Sequence, residues 1–268
     1  MPDVYNAVTE LDPAVAKQLG DAMELRATEP AQQAMLAAYL DDLDLPEGVK
    51  VVEIGCGTGA ISRAVAARPG IGEVTGVDPS PAFIDRARGL AAGLANLSFC
   101  QGDGRDLPLP DASYDLAVLH TVLSHAPDPQ DVLAQAFRVL RQGGQLAVFD
   151  GDYNTMSVAT GEVDPLQACV AAMMQNFLND PWVVRRLPGM IAMAGFTGTR
   201  LRSHGYAQTT NPAYLLTVVD RGTDALVTGG RIGAELGEAL KGEARRRVRA
   251  GSFFGYIAYA SLTARKSE

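Results

Sequence analysis

Glycines occupy alternate positions in Glu53-Ile54-Gly55-Cys56-Gly57-Thr58-Gly59. They follow the apolar run Val49 to Ile54, so the spacing reads as a tight turn from a buried strand into a helix. Such a turn offers backbone N–H groups and close backbone approach to a ligand. Alone it is ambiguous, because Gly55-x-Gly57-x-x-Ala60 also passes as a dinucleotide fingerprint with alanine in the third place. Glu53 lies at the carboxyl end of the strand, where a buried carboxylate needs a partner such as an ammonium group, directly or through water. Asp78 ends the next apolar run, Glu73 to Val77, where a carboxylate can accept both hydroxyls of a ribose. Gly102-Asp103-Gly104 follows a third run. Asp103 is placed to accept from an adenine amine, and the glycines leave room for the ring. Amine, ribose and adenine sites in that order suit a nucleoside amino acid better than a dinucleotide. No basic residue in the turn serves a phosphate, although backbone donors alone can do so.

Two of the three histidines, His120 and His125, follow a fourth apolar run, Tyr114 to His120. Either one, near neutral pKa, suits proton removal from a reacting group or its orientation. The strand end favours His120, since a strand holds a side chain more rigidly than a loop. Loop shaping explains both residues as well. His204 reads as structural. Asp150, Asp152 and Asn154 follow a fifth run, but a magnesium site there also needs a carboxylate where this chain has His120-Thr121, so no metal is expected. Cys56 has no histidine near it in sequence and reads as a small filler. In the N-terminal region, Arg26 is a candidate partner for a ligand carboxylate, with Tyr5 nearby.

These groups need a scaffold in which strands and helices alternate. Ile61, Ala64 and Val65 give one helix its buried stripe. Ser80 caps the next and Pro81 starts it. Asp128 caps a third, with Val132, Leu133, Ala136, Phe137 and Leu140 inward, Arg138 and Arg141 near its negative end and Gly143-Gly144 ending it. Gln145 to Asp150 is the fifth strand. The alternation predicts a doubly wound, mostly parallel sheet. The first 47 residues read as a helical cap, in which Thr28 caps a helix carrying Met35, Leu36, Tyr39, Leu40 and Leu43. Residues 48–268 form the main domain. Within it 151–181 and 207–250, mainly helical, read as insertions forming a lid, with a strand from Thr197 to Tyr206 between them and a last strand from Phe253 to Arg265.

A chain of 268 residues with 47% hydrophobic residues builds a large core without metals or disulfides. Three scattered cysteines fit neither a disulfide framework nor a zinc pattern, so a reducing, cytoplasmic setting is expected. Met1-Pro2-Asp3 carries no signal-peptide pattern, and no apolar run approaches the roughly 20 residues of a membrane span. A net charge of −8 disfavours nucleic acid as a partner. Arg245 to Arg249 is read as a solvated basic face.

The stretches VVEIGCGTG, VTGVDPS, FCQGDGRDLPLPDASYDLAVLH and DPQDVLAQAFRVLRQGGQLAVFD together resemble the class I S-adenosylmethionine-dependent methyltransferases. They are most similar to the branch that includes the ubiquinone/menaquinone C-methyltransferases and many small-molecule methyltransferases. The resemblance implies a seven-stranded Rossmann-like sheet whose last strand is antiparallel. It also implies that Gly55, Gly57, Asp78, Asp103 and Gly104 touch S-adenosyl-L-methionine, with Leu119 and His120 near its sulfonium. Glu53, Cys56, Pro79 and, from the cap, Arg26 complete the expected cofactor site. The partner expected on this basis is a small-molecule methyl acceptor of quinone, phenol or natural-product type. An NAD(P)-dependent oxidoreductase is the alternative, weakened by the lack of a Tyr-x-x-x-Lys pattern. A methyltransferase fold that binds the cofactor without methylating is another.

Overall fold

The computed structural model describes residues 9–267. Two helices lead the chain, α1 (Pro13–Thr28) and α2 (Pro30–Leu40). Asp12 caps α1 with its carboxylate on the Ala14 and Val15 N–H groups. Thr28 does not cap α2, as its position suggested. It is the last residue of α1, and its hydroxyl donates back to the Leu25 carbonyl at 2.8 Å. Pro30 is the reason: a proline disfavours helical backbone in the residue before it, so Glu29 stays extended and becomes the N-cap.

The sheet is assembled from β1 (Val49–Ile54), β2 (Ile71–Asp78), β3 (Leu97–Gln101), β4 (Tyr114–His120), β5 (Leu140–Ser157), β6 (Phe196–Gln208) and β7 (Gly255–Lys266). The spatial order is β3-β2-β1-β4-β5-β7-β6. The pairs among β1 to β5 are parallel, and β7 runs antiparallel to both β5 and β6. The seven-stranded, mostly parallel sheet is thus the expected one, with its antiparallel last strand lodged between β5 and β6. Order reverses between β1 and β4. The crossovers on the two sides diverge there and leave a crevice at the carboxyl ends of the strands.

Alternation along the strands divides the core. Val49, Val51, Leu116, Val118, Ala147 and Phe149 face one side, beneath α2, α6 (Leu166–Phe177) and α8 (Ala213–Thr228). Val52, Ile54, Ala117, Leu119, Leu146 and Val148 face the other, beneath α5 (Pro129–Val139) and α7 (Val183–Met193). The short helices α3 (Ala60–Ala66) and α4 (Pro81–Leu90) connect the first strands, and α9 (Ala234–Arg249) packs on α8.

The boundaries at both ends of β5 differ most from the sequence reading. Helix α5 ends at Val139, not at Gly143-Gly144, because fully buried Leu140 pairs with Tyr114 and opens β5. Arg141, expected at the helix end, instead pairs from that strand with Asp115 at 3.0 Å. Asp128 sits at the N-cap of α5, but its side chain makes no capping bond. Strand β5 also runs on past Asp150 to Ser157, held by β7, so the start of the 151–181 segment belongs to the sheet.

Helices α6 and α8 approach backbone to backbone at Gly222. A Cβ built there would collide with the Cys169 carbonyl, and main chain cannot rotate out of the way. Gly222→Ala is therefore expected to destabilise the protein by about 1–3 kcal/mol through forced separation of the helices. Urea denaturation measures it, and a change below about 0.5 kcal/mol would show that the helices are not in contact there.

Candidate functional site

The turn after β1 needs its glycines. Gly55, Gly57 and Gly59 have φ of 75°, 52° and 75°, the left-handed region that side chains resist. A Cβ on Gly55 would stand 2.6 Å from Val122, and one on Gly57 would stand 2.8 Å from the Met23 sulfur. The N–H groups of this turn are not free donors, as its composition suggested. Gly55 and Cys56 donate to the Val77 carbonyl at 2.7 and 3.0 Å, and Gly57 donates to Asp78 at 2.8 Å. The turn offers close approach rather than a nest for phosphate.

Asp78, at the end of β2, accepts from Gly57 with one oxygen and from the Ser80 N–H, at 2.9 Å, with the other. A carboxylate has about four lone-pair sites, so capacity remains on both oxygens. Burial raises its pKa to about 6, offset in part by those two bonds. Glu53, at the end of β1, is buried and accepts from the Ser62 hydroxyl. Burial lifts its pKa to about 8; the Ser62 bond works against this and the neighbouring Asp78 adds to it. Neither carboxylate has an ion-pair partner among the described residues. Asp103, after β3, is different. The Arg105 guanidinium grips it at 2.7 Å, and this bond holds its carboxyl below the usual range. Pro79, Gly104 and Cys56 complete the rim. Burial, then Glu53, pushes the Cys56 thiol well above its ordinary pKa, which leaves a filler and not a nucleophile.

Helix α1 roofs the turn. Glu24 accepts from the Thr58 hydroxyl at 2.5 Å and pairs with Arg63 at 2.6 Å, and Asp21 pairs with Arg86 at 2.8 Å. Its Arg26 reaches the end of β4 and donates to the Thr121 hydroxyl at 2.7 Å. Tyr5 lies outside the described residues.

At that strand end His120 is buried. Its Nδ1 lies 3.0 Å from the Tyr39 hydroxyl, and its ring stacks on Phe149 with centroids 4.5 Å apart. Burial, then the charge of Arg26, pushes the imidazole pKa well below its ordinary value. Both effects favour the neutral ring and make His120 a weaker base than an ordinary imidazole, against the expectation of a base poised near neutrality. Leu119, expected near the sulfonium, points to the opposite face of the sheet, into the core with Val132 and Leu133, and does not line the cavity. Thr121 does, with φ of 56°.

His125 also lines the cavity, on a loop more firmly held than loops usually are. The Ser124 N–H and hydroxyl donate to Asp150 at 3.0 and 2.8 Å. The Asn179 and Asp180 N–H groups donate to the Ser124 carbonyl at 3.1 and 3.0 Å, and the Asn179 amide donates to the His125 carbonyl. Asp150 is fully buried, and His125 acts on it electrostatically. The three residues weighed for magnesium have separate tasks: Asp150 holds Ser124, Asp152 pairs with Arg185 at 3.0 Å, and Asn154 donates to the Pro181 carbonyl at 3.0 Å. His204 lies on β6 against Ser261 at 2.8 Å, outside the cavity.

The whole forms one cavity of about 760 Å³ at the carboxyl edge. It unites Glu53, Gly55, Cys56, Gly57, Asp78, Pro79, Asp103, Gly104, His120, His125 and Arg26. Its far wall is Met173, Phe177, Tyr214, Val218 and Arg221 from α6 and α8, with Tyr153 between. Of the residues not foreseen, Tyr39, Ser124 and Arg221 have no sequence signal beyond helical or loop position.

Residues 52–148 match the family described as "Methyltransferase domain". The demethylmenaquinone methyltransferase of Staphylococcus aureus is 31% identical over 44% of this chain and 50% of its own length. The chain spans about half the length of the curated relatives it matches. A Bacillus halodurans structure described as that of a methyltransferase superposes with a TM-score of 0.63 at 19% identity, covering 87% of this chain and 99% of that one. A Haemonchus contortus phosphoethanolamine N-methyltransferase in complex with S-adenosyl-L-methionine gives 0.55 at 16% identity, covering 88% and 53%. At these identities the structural likeness speaks for the fold alone. No helix of the described residues is long and apolar enough to cross a membrane. Matched domain, relatives and strand order agree in likeness to the class I S-adenosylmethionine-dependent methyltransferases, and residues 52–148 of this chain match their methyltransferase domain.

Proposed function

We propose that the chain transfers a methyl group from S-adenosyl-L-methionine to a small, largely apolar acceptor. The observation that carries this is the pair Glu53 and Asp78: two buried carboxylates in one cavity, both raised by burial and neither neutralised by a described cation. A ligand with an ammonium group and two adjacent hydroxyls satisfies both. In this reading Glu53 receives the ammonium and Asp78 the ribose hydroxyls. Gly55, Cys56 and Gly57 give the close approach, Pro79 and Gly104 flank the adenine, and Asp103 accepts from its amine. Arg26 faces the amino-acid carboxylate, and the methyl points toward His120 and Thr121. Catalysis is then chiefly alignment of acceptor, methyl and sulfur, with up to about 7–11 kcal/mol available from positioning. The dinucleotide reading loses support because the N–H groups of Gly55, Cys56 and Gly57 are already taken within the protein. Calorimetry separates the two: S-adenosylhomocysteine is expected to bind and NAD is not.

Asp78→Ala is expected to weaken S-adenosylhomocysteine binding by at least about 1–3 kcal/mol, since buried hydroxyls lose a charged acceptor. Near-native affinity in a folded variant would remove the ribose assignment.

The Glu53 carboxyl carries a signed pH dependence. Its folded pKa of about 8 lies above the ordinary 4.5, so the folded state holds the proton more tightly than the unfolded chain. The stability this lends to the ligand-free protein is complete below pH about 4.5 and is lost as pH rises through about 8. Urea midpoints across that range should fall, and Glu53→Gln should flatten the slope. Binding runs the other way: an ammonium needs the ionised carboxylate, so cofactor affinity should rise toward pH about 8 with release of a proton. A pH-independent affinity would be incompatible with the Glu53 assignment.

If the acceptor must lose a proton, His125 suits the task better than His120, whose depressed pKa makes it a weak base. His125→Ala is expected to lower single-turnover transfer of isotope-labelled methyl by roughly 10²–10⁴ with little change in S-adenosylhomocysteine affinity. A loss within about threefold would leave positioning alone as the source of rate.

A further inference from the structure

Helix α8 turns one face to the cavity. Tyr214, Val218 and Arg221 recur at four- and three-residue spacing, and all three line it. Met173 and Phe177 on α6 stand one turn apart on the adjoining wall. The result is an apolar slot with a guanidinium at one end.

The other cavity arginines are engaged. Arg63 pairs with Glu24 at 2.6 Å and Arg105 with Asp103 at 2.7 Å, Arg68 pairs with Asp41, and Arg26 donates to Thr121 at 2.7 Å. Arg221 has no ion pair and no hydrogen bond among the described residues. Its guanidinium lies 5.9 Å from the centre of the Phe177 ring. The acids beside it on α8 point away: Asp220 pairs with Arg245 at 2.8 Å and Asp224 with Lys241 at 2.6 Å, both on α9. In a chain with 31 acidic and 23 basic side chains a carboxylate partner is easily found, yet this arginine faces the cavity without one. A guanidinium partly withdrawn from water against an aromatic ring is suited to a planar, two-pronged bond with an anionic oxygen group.

We propose that the methyl acceptor carries a carboxylate or phosphate, which Arg221 receives, with its apolar body between α6 and α8. This rests on the cofactor reading, which puts the reacting end across the cavity near His120 and Thr121. The anionic group then sets the orientation of the acceptor and excludes neutral molecules of the same shape.

The test titrates the full chain, with and without saturating S-adenosylhomocysteine, against four probes sharing one apolar body: 2-naphthoate, 2-naphthyl phosphate, 2-naphthamide and 2-naphthylmethylammonium. At least one anion should bind tenfold or more tighter than the amide and the cation, and which of the two wins distinguishes carboxylate from phosphate. Raising the salt should narrow the gap. Arg221→Gln should bring the anion to within about twofold of the amide and Arg221→Lys should retain part of the preference, while both keep the wild-type melting temperature and S-adenosylhomocysteine affinity. Equal binding of amide and anions, a preference that survives in Arg221→Gln, or no binding of either anion overturns the proposal. Failure of S-adenosylhomocysteine to bind would instead remove the cofactor reading, and the cofactor-free titrations would still decide the role of Arg221.

Discussion

The hydrogen bond from the Gly57 N–H to the Asp78 carboxylate ties the end of one strand to the turn that follows its neighbour. Much of the site depends on this link. Val77 and Asp78 capture the N–H groups of Gly55, Cys56 and Gly57, and so hold a turn that contains three left-handed glycines. The captured turn leaves the space that Met23 and Val122 border, and it starts α3, whose Ser62 hydroxyl reaches back to Glu53. Two neighbouring acceptors at the end of β2 thus hold the turn after β1 that floors the cavity.

Around that floor the protein distributes charge unevenly. Asp21 and Glu24 of α1 are paired with Arg86 and Arg63 at the partly exposed rim, where ion pairs are inexpensive to form and modest in strength. Glu53 and Asp78, further inward, have no ion-pair partner among the described residues and resist ionisation. Desolvated, unpaired carboxylates cost stability in the ligand-free state, and natural proteins keep such arrangements mainly where a ligand meets them. On the opposite wall the imbalance has the other sign, since Arg221 has no ion pair among the described residues and stands beside apolar side chains.

Much of this is legible in the amino-acid sequence. Strand β4 runs from Tyr114 to His120 as its apolar run indicated, and Asp78 closes β2 as its position after the second apolar run indicated, because buried parallel strands and their glycine turns are encoded locally. Features that depend on distant partners were not legible. Leu140 looked helical by spacing, but pairing with Tyr114 makes it a strand residue. Thr28 resembled a cap until the proline two residues later is considered. His120 looked like a base, and only its packing between Tyr39 and Phe149 reveals how weakly it holds a proton. His125 looked loosely held, and only the fold brings Asp150, Asn179 and Asp180 around Ser124 beside it.

Thr121 holds a left-handed backbone with a branched side chain, a conformation that costs about 1–3 kcal/mol and that glycine would adopt without penalty. Its N–H bond to Phe149 needs no side chain, so that bond does not account for the threonine. What glycine would lack is the hydroxyl that Arg26 grasps. At this position the chain accepts backbone strain to keep a polar latch between α1 and the end of β4. An ancestor or a designed variant selected for heat resistance alone would be drawn toward glycine here, and would gain its tolerance by loosening the roof of the site.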